Sequence, residues 1–312
     1  MAEENSWERQ ALEHLLLENL KEQRRARRWK TVMRVLTLVV FVALAINLFD
    51  VNLGGKAALG KHTALVDLQG EIGPDSRASA ETINSALNAA FESNESVGVV
   101  LRINSPGGSP VQSGIIHDEI LRLRAKYPQK PLHVVVEEIC ASGGYYVAVA
   151  ADQIYVDKAS LVGSVGVFMS GFGVTGLMDK LGVERRLITA GKNKALLDPF
   201  TKEDKKQKEF VQEMLGEVHQ QFIQVVRDGR GKRLKETPDM FSGLVWNGAR
   251  SVDLGLTDAL GTVDSVARDV FKAPDVYDYT VKENFAERVA KRFGAAMGEG
   301  ATRVLMQGAQ MR

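Results

Sequence analysis

The stretch PLHVVVEEICASGGYYVAVAADQIYVD, residues 131–157, contains the pattern on which the fold depends. Its apolar run LHVVVEE predicts a strand, GGYYVAVAA predicts a short helix, and QIYVD predicts a second strand. Ser142 and two glycines stand where the first strand meets the helix. The stretch therefore predicts a strand–turn–helix–strand unit with a serine at the carboxyl end of its first strand.

The same alternation continues in both directions along the chain. Strands are predicted from HTALVDLQGEI, VGVVLRI and GVERRLIT, and SLVGSVGVFM predicts an edge strand or a bend. Helices are predicted from SRASAETINSALNAAFES, VQSGIIHDEILRLRAKY and KEDKKQKEFVQEMLGEVHQQFIQVVRDGR. Because the strands are apolar throughout, we predict an α/β fold with a mostly parallel sheet covered on both faces. In such folds ligands bind beyond the carboxyl ends of strands, where both glycine pairs, 105–109 and 141–144, are expected.

Composition and charge exclude several classes of function. The chain of 312 residues is 45% hydrophobic and 25% charged, which is ordinary for a globular protein. A net charge of +1 gives no overall field that would attract nucleic acid. The single cysteine, Cys140, excludes an internal disulfide and a multi-cysteine metal site. We therefore predict no metal, no cofactor and no nucleic-acid partner.

The N-terminal region predicts a membrane anchor. Seven Lys or Arg residues lie from Lys21 to Arg34, and an uncharged apolar run, VLTLVVFVALAINLF, follows. A spanning helix needs about 20 apolar residues, and residues 31–50 approach this length if Arg34 snorkels toward the headgroups. The basic cluster places residues 1–30 in the cytoplasm as a charged tail and the rest of the chain outside. A cleaved signal peptide is the alternative, although no clear small-x-small site follows Phe49.

The other end of the chain, residues 285–312, is predicted to be a basic amphipathic tail at the membrane surface or at a subunit contact.

Ser142 has two interpretations, a nucleophile or a small residue at a tight turn. A serine nucleophile needs a neighbouring base and an oxyanion site. The N–H of Gly143 would lie at a helix N-terminus, where backbone donors are free, and the N–H of Gly108 would lie in the neighbouring loop. Two glycine loops at corresponding strand ends, one with a serine, favour the nucleophile.

The residues alone leave the base open. His117 lies on the helix after the first glycine loop, and a mid-helix histidine is usually a surface residue. Cys140 is a second candidate, more typical of a small buried apolar residue. Lysine acts as a base where burial lowers its pKa toward neutrality, and TAGKNKALLDPF contains Lys192 and Lys194. Spacing does not choose between them.

Five motifs together resemble one known family. RINSPGGS, CASGGYYVAVAAD, LVGSVGV, GKNKALLDPF and WNGARSVDLGLTDALG occur in the same order as in the bacterial signal peptide peptidase A, or protease IV, family. The resemblance covers residues 62–270 and is to the short, single-repeat form with an N-terminal anchor. It implies a Clp protease/crotonase-like βαβ superhelix and a peptidase domain over residues 56–284.

The resemblance also implies roles for particular residues. Ser142 corresponds to the nucleophile and Lys194 to the base, with Lys192 as the less favoured match. Gly108 and Gly143 correspond to the oxyanion donors, and Ser164 to a serine that orients the lysine. Asn193 departs from the family, which often has a small aromatic or hydroxyl residue there. This dyad uses no histidine.

Assembly and location are implied in the same way. Members of the family take the serine and the lysine from adjacent subunits of a homo-oligomer, an octameric ring in the short form. Their substrates are cleaved signal peptides, at a bacterial inner membrane whose lipid holds the single-pass anchor, with the catalytic domain in the periplasm. Two other functions stay open, a crotonase-like acyl-thioester enzyme and a catalytically silent ring-forming membrane scaffold.

Overall fold

The computed structural model describes residues 60–281 and, separately, residues 21, 23–25 and 27–42, which are helical. No helix in these described ranges is both long enough and apolar enough to cross a bilayer. Residues 43–50 of the predicted anchor lie outside the described residues, as do 1–20 of the charged tail and all of the 285–312 tail. The domain limits at 56 and 284 also lie outside them, so these boundaries stay predictions.

Strands and helices alternate through residues 60–281. The strands are β1 His62–Gln69, β2 Ser96–Ser105, β3 Leu132–Ala141, β4 Gln153–Val156, β5 Leu161–Gly163, β6 Val245–Asn247, β7 Ala259–Leu260 and β8 Val276–Asp278. The helices are α1 Ala80–Glu92, α2 Pro110–Lys126, α3 Gly143–Ala148, α4 Thr175–Leu181, α5 Lys205–Arg230, α6 Gly248–Asp253 and α7 Val263–Ser265. A 3₁₀ turn, Gly231–Arg233, follows α5, and a π-helical turn, Val266–Val270, follows α7. The predicted α/β class is confirmed.

The described strands form one eight-stranded sheet in the order β6-β5-β3-β2-β1-β8, with β4 pairing β3 and β7. Every pair is parallel except β5 with β6. The long strand β3 changes partner along its length. Its first half pairs with β4 from His133 to Val135, and its second half pairs with β5 from Ile139 to Ala141. This change of partner brings β5 beside the end of β3, where Ser142 follows.

Both faces of the sheet are buried, which explains the uninterrupted apolar strands. The larger cluster joins one face to α1, α2, α3 and α5 through fully buried residues such as Leu101, Ile120 and Val226. The smaller cluster covers the other face, where Val100 and Val135 pack against Val266 after α7. Truncation of Ile120 to alanine would cost about 2–5 kcal/mol because of the cavity it leaves.

The segment GVERRLIT, predicted as a strand, is not one. Residues 183–189 have no regular structure, and Ile188 is 96% exposed. Its alternation of apolar and charged residues resembles a strand pattern, but no neighbouring strand of the sheet reaches it. SLVGSVGVFM contains the three-residue strand β5, which ends at Gly163 and lies between β3 and β6 rather than at an edge.

Capping side chains fix where the helices around the site begin. Ser109, the serine after the first glycine pair, accepts a hydrogen bond from the Gln112 N–H, and Pro110 occupies the first turn of α2. Asp204 accepts from the Gln207 N–H at the start of α5. The loop Gly107–Gly108 therefore ends at a fixed point, directly beside the turn that carries Ser142.

Candidate active site

Ser142 occupies the N-cap position of α3 but does not act as a cap. Its backbone has φ 51° and ψ −123°, far from the extended conformation of ordinary N-cap residues. Its side chain makes no capping hydrogen bond, so the hydroxyl is left for other partners. Non-glycine residues rarely adopt a positive φ, and such strain is concentrated at functional sites. The conformation supports a functional serine over a plain turn.

Backbone hydrogen bonds hold Ser142 on both sides. Its N–H donates to the carbonyl of Gly163 at the end of β5, with a nitrogen–oxygen distance of 2.8 Å. Its own carbonyl accepts from the N–H of Tyr146 at 2.9 Å, which closes the first turn of α3. The strained conformation is therefore imposed by the sheet and by the helix together.

The first glycine loop lies against this turn. Gly107 and Gly108 have φ values of 104° and 145°, a region that favours glycine. The N–H of Ile72 donates to the Gly107 carbonyl at 2.8 Å, and the loop forms a parallel bridge with Ile72. A Cβ on Gly108 would overlap the Ile72 carbonyl oxygen, and a Cβ on Gly107 would lie 2.7 Å from both Gly143 N and Ser142 Cβ. Glycine is therefore required at both positions.

The two predicted oxyanion donors are brought together. The nitrogen of Gly108 lies 3.3 Å from the position that a Cβ on Gly143 would take. Within residues 60–281, neither the Gly108 N–H nor the Gly143 N–H donates to a backbone carbonyl. The Gly143 N–H also belongs to the first turn of α3, whose donors have no intrahelical partner. Two free backbone donors beside a serine hydroxyl suit the stabilisation of an oxyanion.

Ser142 lines a cavity of about 150 Å³. Its walls come from the glycine loop and α2, from α3, from the segment after β5, and from α5. The lining residues are Gly108, Pro110, Ser113, Ser142, Gly143, Tyr146, Gly166, Val167, Phe168, Val218, Gln221 and Phe222. The mostly apolar wall suits an uncharged side chain or a stretch of apolar peptide.

Burial raises the pKa of two groups near Ser142. The Cys140 thiol is fully buried, and its pKa is raised far above its ordinary value by desolvation. The interpretation of Cys140 as a small buried apolar residue is therefore confirmed, and its thiol does not serve as the base. The Tyr146 phenol lines the cavity, and its pKa is raised by burial and by the negative charge of Asp118. Tyr146 is therefore a neutral wall residue.

His117 does not line the Ser142 cavity within the described residues. Its Nδ1 lies 3.0 Å from Asp118 Oδ1, and its ring stands edge-on to the Tyr146 ring with centroids 5.3 Å apart. His117 thus contacts Tyr146, a wall residue of the cavity, without lining the cavity itself.

The predicted base is elsewhere on the surface of the chain. Lys194 and Lys192 are exposed, in a turn where the Lys194 N–H donates to the Gly191 carbonyl at 3.1 Å. In the described part of the chain, neither lysine is among the residues that line the Ser142 cavity. Ser164 is closer to the nucleophile, because it follows Gly163, the residue that accepts from the Ser142 N–H. Its φ of 54° repeats the strain of Ser142.

A second, larger groove of about 1070 Å³ adjoins the cavity. It extends from the segment after β5 to the start of α5, and it shares Val167 and Phe168 with the Ser142 cavity. Leu197, Asp198 and Pro199 of the lysine-containing segment also line it. The groove is thus a surface that connects the serine's cavity with the region of Lys194.

Comparison with known proteins identifies the family to which this chain belongs. Residues 124–276 match the model of Peptidase family S49, a range that contains Ser142, Ser164 and Lys194. A protein of Methanocaldococcus jannaschii whose name describes a protease is 34% identical over 200 residues, 62% of this chain and 63% of that protein. “Probable protease SohB” of Haemophilus influenzae is 30% identical over 242 residues, 77% of this chain and 66% of that protein. The chain belongs to the signal peptide peptidase A/protease IV family.

Some relatives are much longer than this chain, and the match covers only part of them. A Brucella melitensis protein named “Na(+)/H(+) antiporter NhaA” is 44% identical over 185 residues, 59% of this chain but 25% of that protein. The chain thus spans about a quarter of that relative and less than two thirds of the M. jannaschii protein.

Among solved structures, a mutant of ClpP1 from Listeria monocytogenes aligns with a TM-score of 0.40 at 15% identity. That alignment covers 63% of this chain and 90% of the ClpP1 chain. A score this low decides nothing about the subclass of the fold. The Clp protease/crotonase-like superhelix therefore stays a prediction beyond the observed α/β architecture.

Sequence reasoning missed the part of the site that α5 supplies in this signal peptide peptidase A relative. Val218, Gln221 and Phe222 form one wall of the cavity, and His219 contacts the carbonyl of Val165, the residue before the opposite wall. The helix was predicted from its amphipathic pattern, which gives the apolar face but not its partner. Tyr146 was also missed as a wall residue, although it lies one turn after Ser142 on α3 and so shares its face.

Proposed function

We propose that this protein is a membrane-anchored serine endopeptidase that degrades cleaved signal peptides at the bacterial inner membrane. The observation that carries the proposal is the strained, uncapped Ser142 at the cavity, beside the free N–H groups of Gly108 and Gly143. Family membership supports the peptidase reaction, and the Ser–Lys assignment rests on the resemblance of GKNKALLDPF to the family motif.

The reaction follows from these groups. Lys194, in its neutral form in a desolvated assembled site, accepts the Ser142 hydroxyl proton as Oγ attacks the scissile carbonyl carbon. The carbonyl oxygen becomes an oxyanion that accepts from the Gly108 and Gly143 N–H groups. Lys194 returns the proton to the leaving amine, and the peptide C–N bond breaks to leave an acyl-serine. Water then attacks this ester, its proton passes through Lys194, and Ser142 is regenerated with a free carboxylate product.

Assembly into a homo-oligomeric ring completes the site in this account. Lys194 of one subunit serves Ser142 of its neighbour, with Ser164 orienting the lysine. The exposure of Lys194 and its place outside the cavity wall support a base supplied by another subunit. The apolar side chains exposed after β5, among them Phe168 at 84% and Phe172 at 88%, support burial of this region in an assembly.

The proposed location rests on the N-terminal sequence. The basic cluster and the apolar run at residues 31–50 support a single-pass anchor with a cytoplasmic N-terminus and a periplasmic peptidase domain. A tethered enzyme meets apolar peptides where they leave the bilayer, and the mostly apolar cavity suits them.

Active-site labelling of the full chain in detergent tests the proposal. A fluorophosphonate should modify the unchanged protein at Ser142, as located by peptide mass spectrometry, and the labelled protein should lose hydrolysis of a fluorogenic signal-peptide fragment. Ser142→Ala should be unlabelled and inactive, whereas the control Ser109→Ala should still be labelled. An assembled protein that is neither labelled nor active would favour the silent scaffold.

A further inference from the structure

We propose that His219 is a positioning residue that holds the segment Gly166–Phe168 as one wall of the Ser142 cavity. The inference rests on the proposed peptidase function and concerns how the same site is shaped. His219 lies on α5, and its Nε2 is 3.1 Å from the carbonyl oxygen of Val165. A carbonyl oxygen only accepts, so Nε2 carries the proton and donates it.

Gly163, Ser164 and Val165, the three residues before the wall, form hydrogen bonds with three different parts of the chain. The Gly163 carbonyl accepts from the Ser142 N–H at 2.8 Å, and the Ser164 N–H donates to the Leu244 carbonyl at 2.7 Å. The Val165 carbonyl accepts from His219. The nucleophile, the loop before β6 and helix α5 are therefore joined through one short stretch of backbone.

The residues that follow Val165 have little else to hold them. Gly166 and Val167 are half-buried, and Phe168 is 84% exposed. Within the described residues, no strand or helix begins between the end of β5 and Thr175. Gly166, Val167 and Phe168 nevertheless line the Ser142 cavity. The hydrogen bond from His219 to the carbonyl of Val165, a residue buried in the core, lies directly before this wall.

His219 also lies on the helix that supplies the opposite wall. Val218, Gln221 and Phe222 of α5 line the same cavity, and His219 lines the adjoining groove with Val167 and Phe168. One hydrogen bond thus sets the separation between helix α5 and the segment after β5. That separation determines the width available to a substrate side chain next to Ser142.

A peptide and a small acylating reagent should respond differently to loss of this bond. A small fluorophosphonate needs only the Ser142 hydroxyl and the two N–H donors, whereas a peptide also needs the wall. In His219→Phe, which keeps a ring and loses the donor, kcat/KM for a fluorogenic peptide should fall about five-fold, the factor expected for one net hydrogen bond. The rate of fluorophosphonate labelling should stay within about two-fold of that of the unchanged protein.

Hydrogen–deuterium exchange of the full chain gives a readout that does not depend on activity. Amides of residues 166–170 should exchange about five-fold faster in His219→Phe. Exchange should return to the original rate in His219→Gln, whose amide restores a donor. The exposed neighbour Gln220 provides the control Gln220→Ala, which should leave these amides unchanged.

Unchanged exchange at residues 166–170 in His219→Phe would overturn the proposal. Faster exchange throughout α5 and the sheet would also overturn it, because His219 would then be a general structural residue. Failure of the proposed peptidase function is distinguishable from failure of the His219 proposal. The first would appear as absent labelling of Ser142 in the unchanged protein, and the exchange rates would still decide the role of His219.

Discussion

At the scale of single residues, Ser142 combines a free hydroxyl with a strained backbone. Its φ of 51° costs roughly 1–3 kcal/mol for a residue with a Cβ. The hydrogen bonds to Gly163 and from Tyr146 keep it in that conformation. The strained conformation is therefore expected to lower the free energy of unfolding while it serves the function of Ser142.

Ser142→Gly should therefore be inactive but more stable than the unchanged protein, by about 1 kcal/mol or more, because glycine adopts this φ without strain. Ser142→Ala is the matched control, since it removes the hydroxyl and keeps the Cβ, and its stability should be nearly unchanged. Urea unfolding of both variants measures the difference. A Ser142→Gly protein no more stable than Ser142→Ala would contradict the strain argument.

A substitution at Gly108 should change the free energy of unfolding in the opposite direction. A Cβ at this position would overlap the Ile72 carbonyl oxygen, at a φ of 145° that favours glycine. Gly108→Ala should lower the free energy of unfolding by at least about 1–3 kcal/mol and abolish hydrolysis. The control is Gly114→Ala on α2, where a Cβ meets no atom within 4 Å and should stabilise the helix by about 0.5–1 kcal/mol. Thermal unfolding and peptide hydrolysis of the pair test both effects.

At the scale of elements, α5 is held to the body through its last residue. The Arg230 side chain is 1% exposed, and it donates to both carboxylate oxygens of Asp258 at 2.9 and 2.8 Å and to the Gly255 carbonyl at 2.9 Å. Asp258 also accepts from the Ile154 N–H of β4 at 2.7 Å. The Arg230–Asp258 pair holds the C-terminal end of α5 against the sheet, and the middle of the same helix lines the Ser142 cavity.

Removal of Arg230 should therefore be costly. Arg230→Met leaves Asp258 largely buried with weaker partners, and we expect a loss of about 3 kcal/mol in the free energy of unfolding. Arg227, which pairs with Glu236 on the surface, provides the control. Arg227→Met should cost less than about 1 kcal/mol. Equal losses in the two variants, measured by urea unfolding, would show that the buried pair does not anchor α5.

The same pair predicts a dependence of stability on pH. Burial disfavours the Asp258 carboxylate, but the hydrogen bonds and charge of Arg230 outweigh it, so the pKa of Asp258 is lowered. Its contribution is then fully present above the ordinary value of about 3.9 and is lost as pH falls through the lower folded pKa. The difference in unfolding free energy between the unchanged protein and Asp258→Asn should thus shrink below about pH 4. The control is Asp253→Asn, because Asp253 is exposed. If the difference in unfolding free energy between the unchanged protein and this control shrank below about pH 4 in the same way, the assignment to Asp258 would be wrong.

At the scale of the whole molecule, the sequence predicted the parts of the site that depend on local pattern. Ser142 and the two glycine pairs follow apolar strands, and parallel strands bring such ends to one edge of the sheet. The structure accordingly places the Gly108 nitrogen beside Gly143.

The parts that depend on distant contacts were not predicted. The role of His219 rests on a contact with a residue 54 positions away, and no periodicity encodes it. GVERRLIT has a strand's pattern without a strand beside it, because local alternation does not guarantee a partner. In the described part of the chain Lys194 does not line the Ser142 cavity, and the base that we propose is supplied by a neighbouring subunit, which no local pattern encodes.

The central claim is that Ser142 of one subunit and Lys194 of its neighbour form one catalytic pair. The most direct measurement mixes equal amounts of full-length Ser142→Ala and Lys194→Ala proteins in detergent, with subunit exchange followed by energy transfer between labelled copies. Each variant alone should be inactive. After exchange, about a quarter of the sites combine an intact serine with an intact neighbouring lysine, so peptide hydrolysis should recover toward that fraction. Lys192→Ala should retain activity on its own. Complete subunit exchange without any recovery, or full activity of Lys194→Ala alone, would contradict the account.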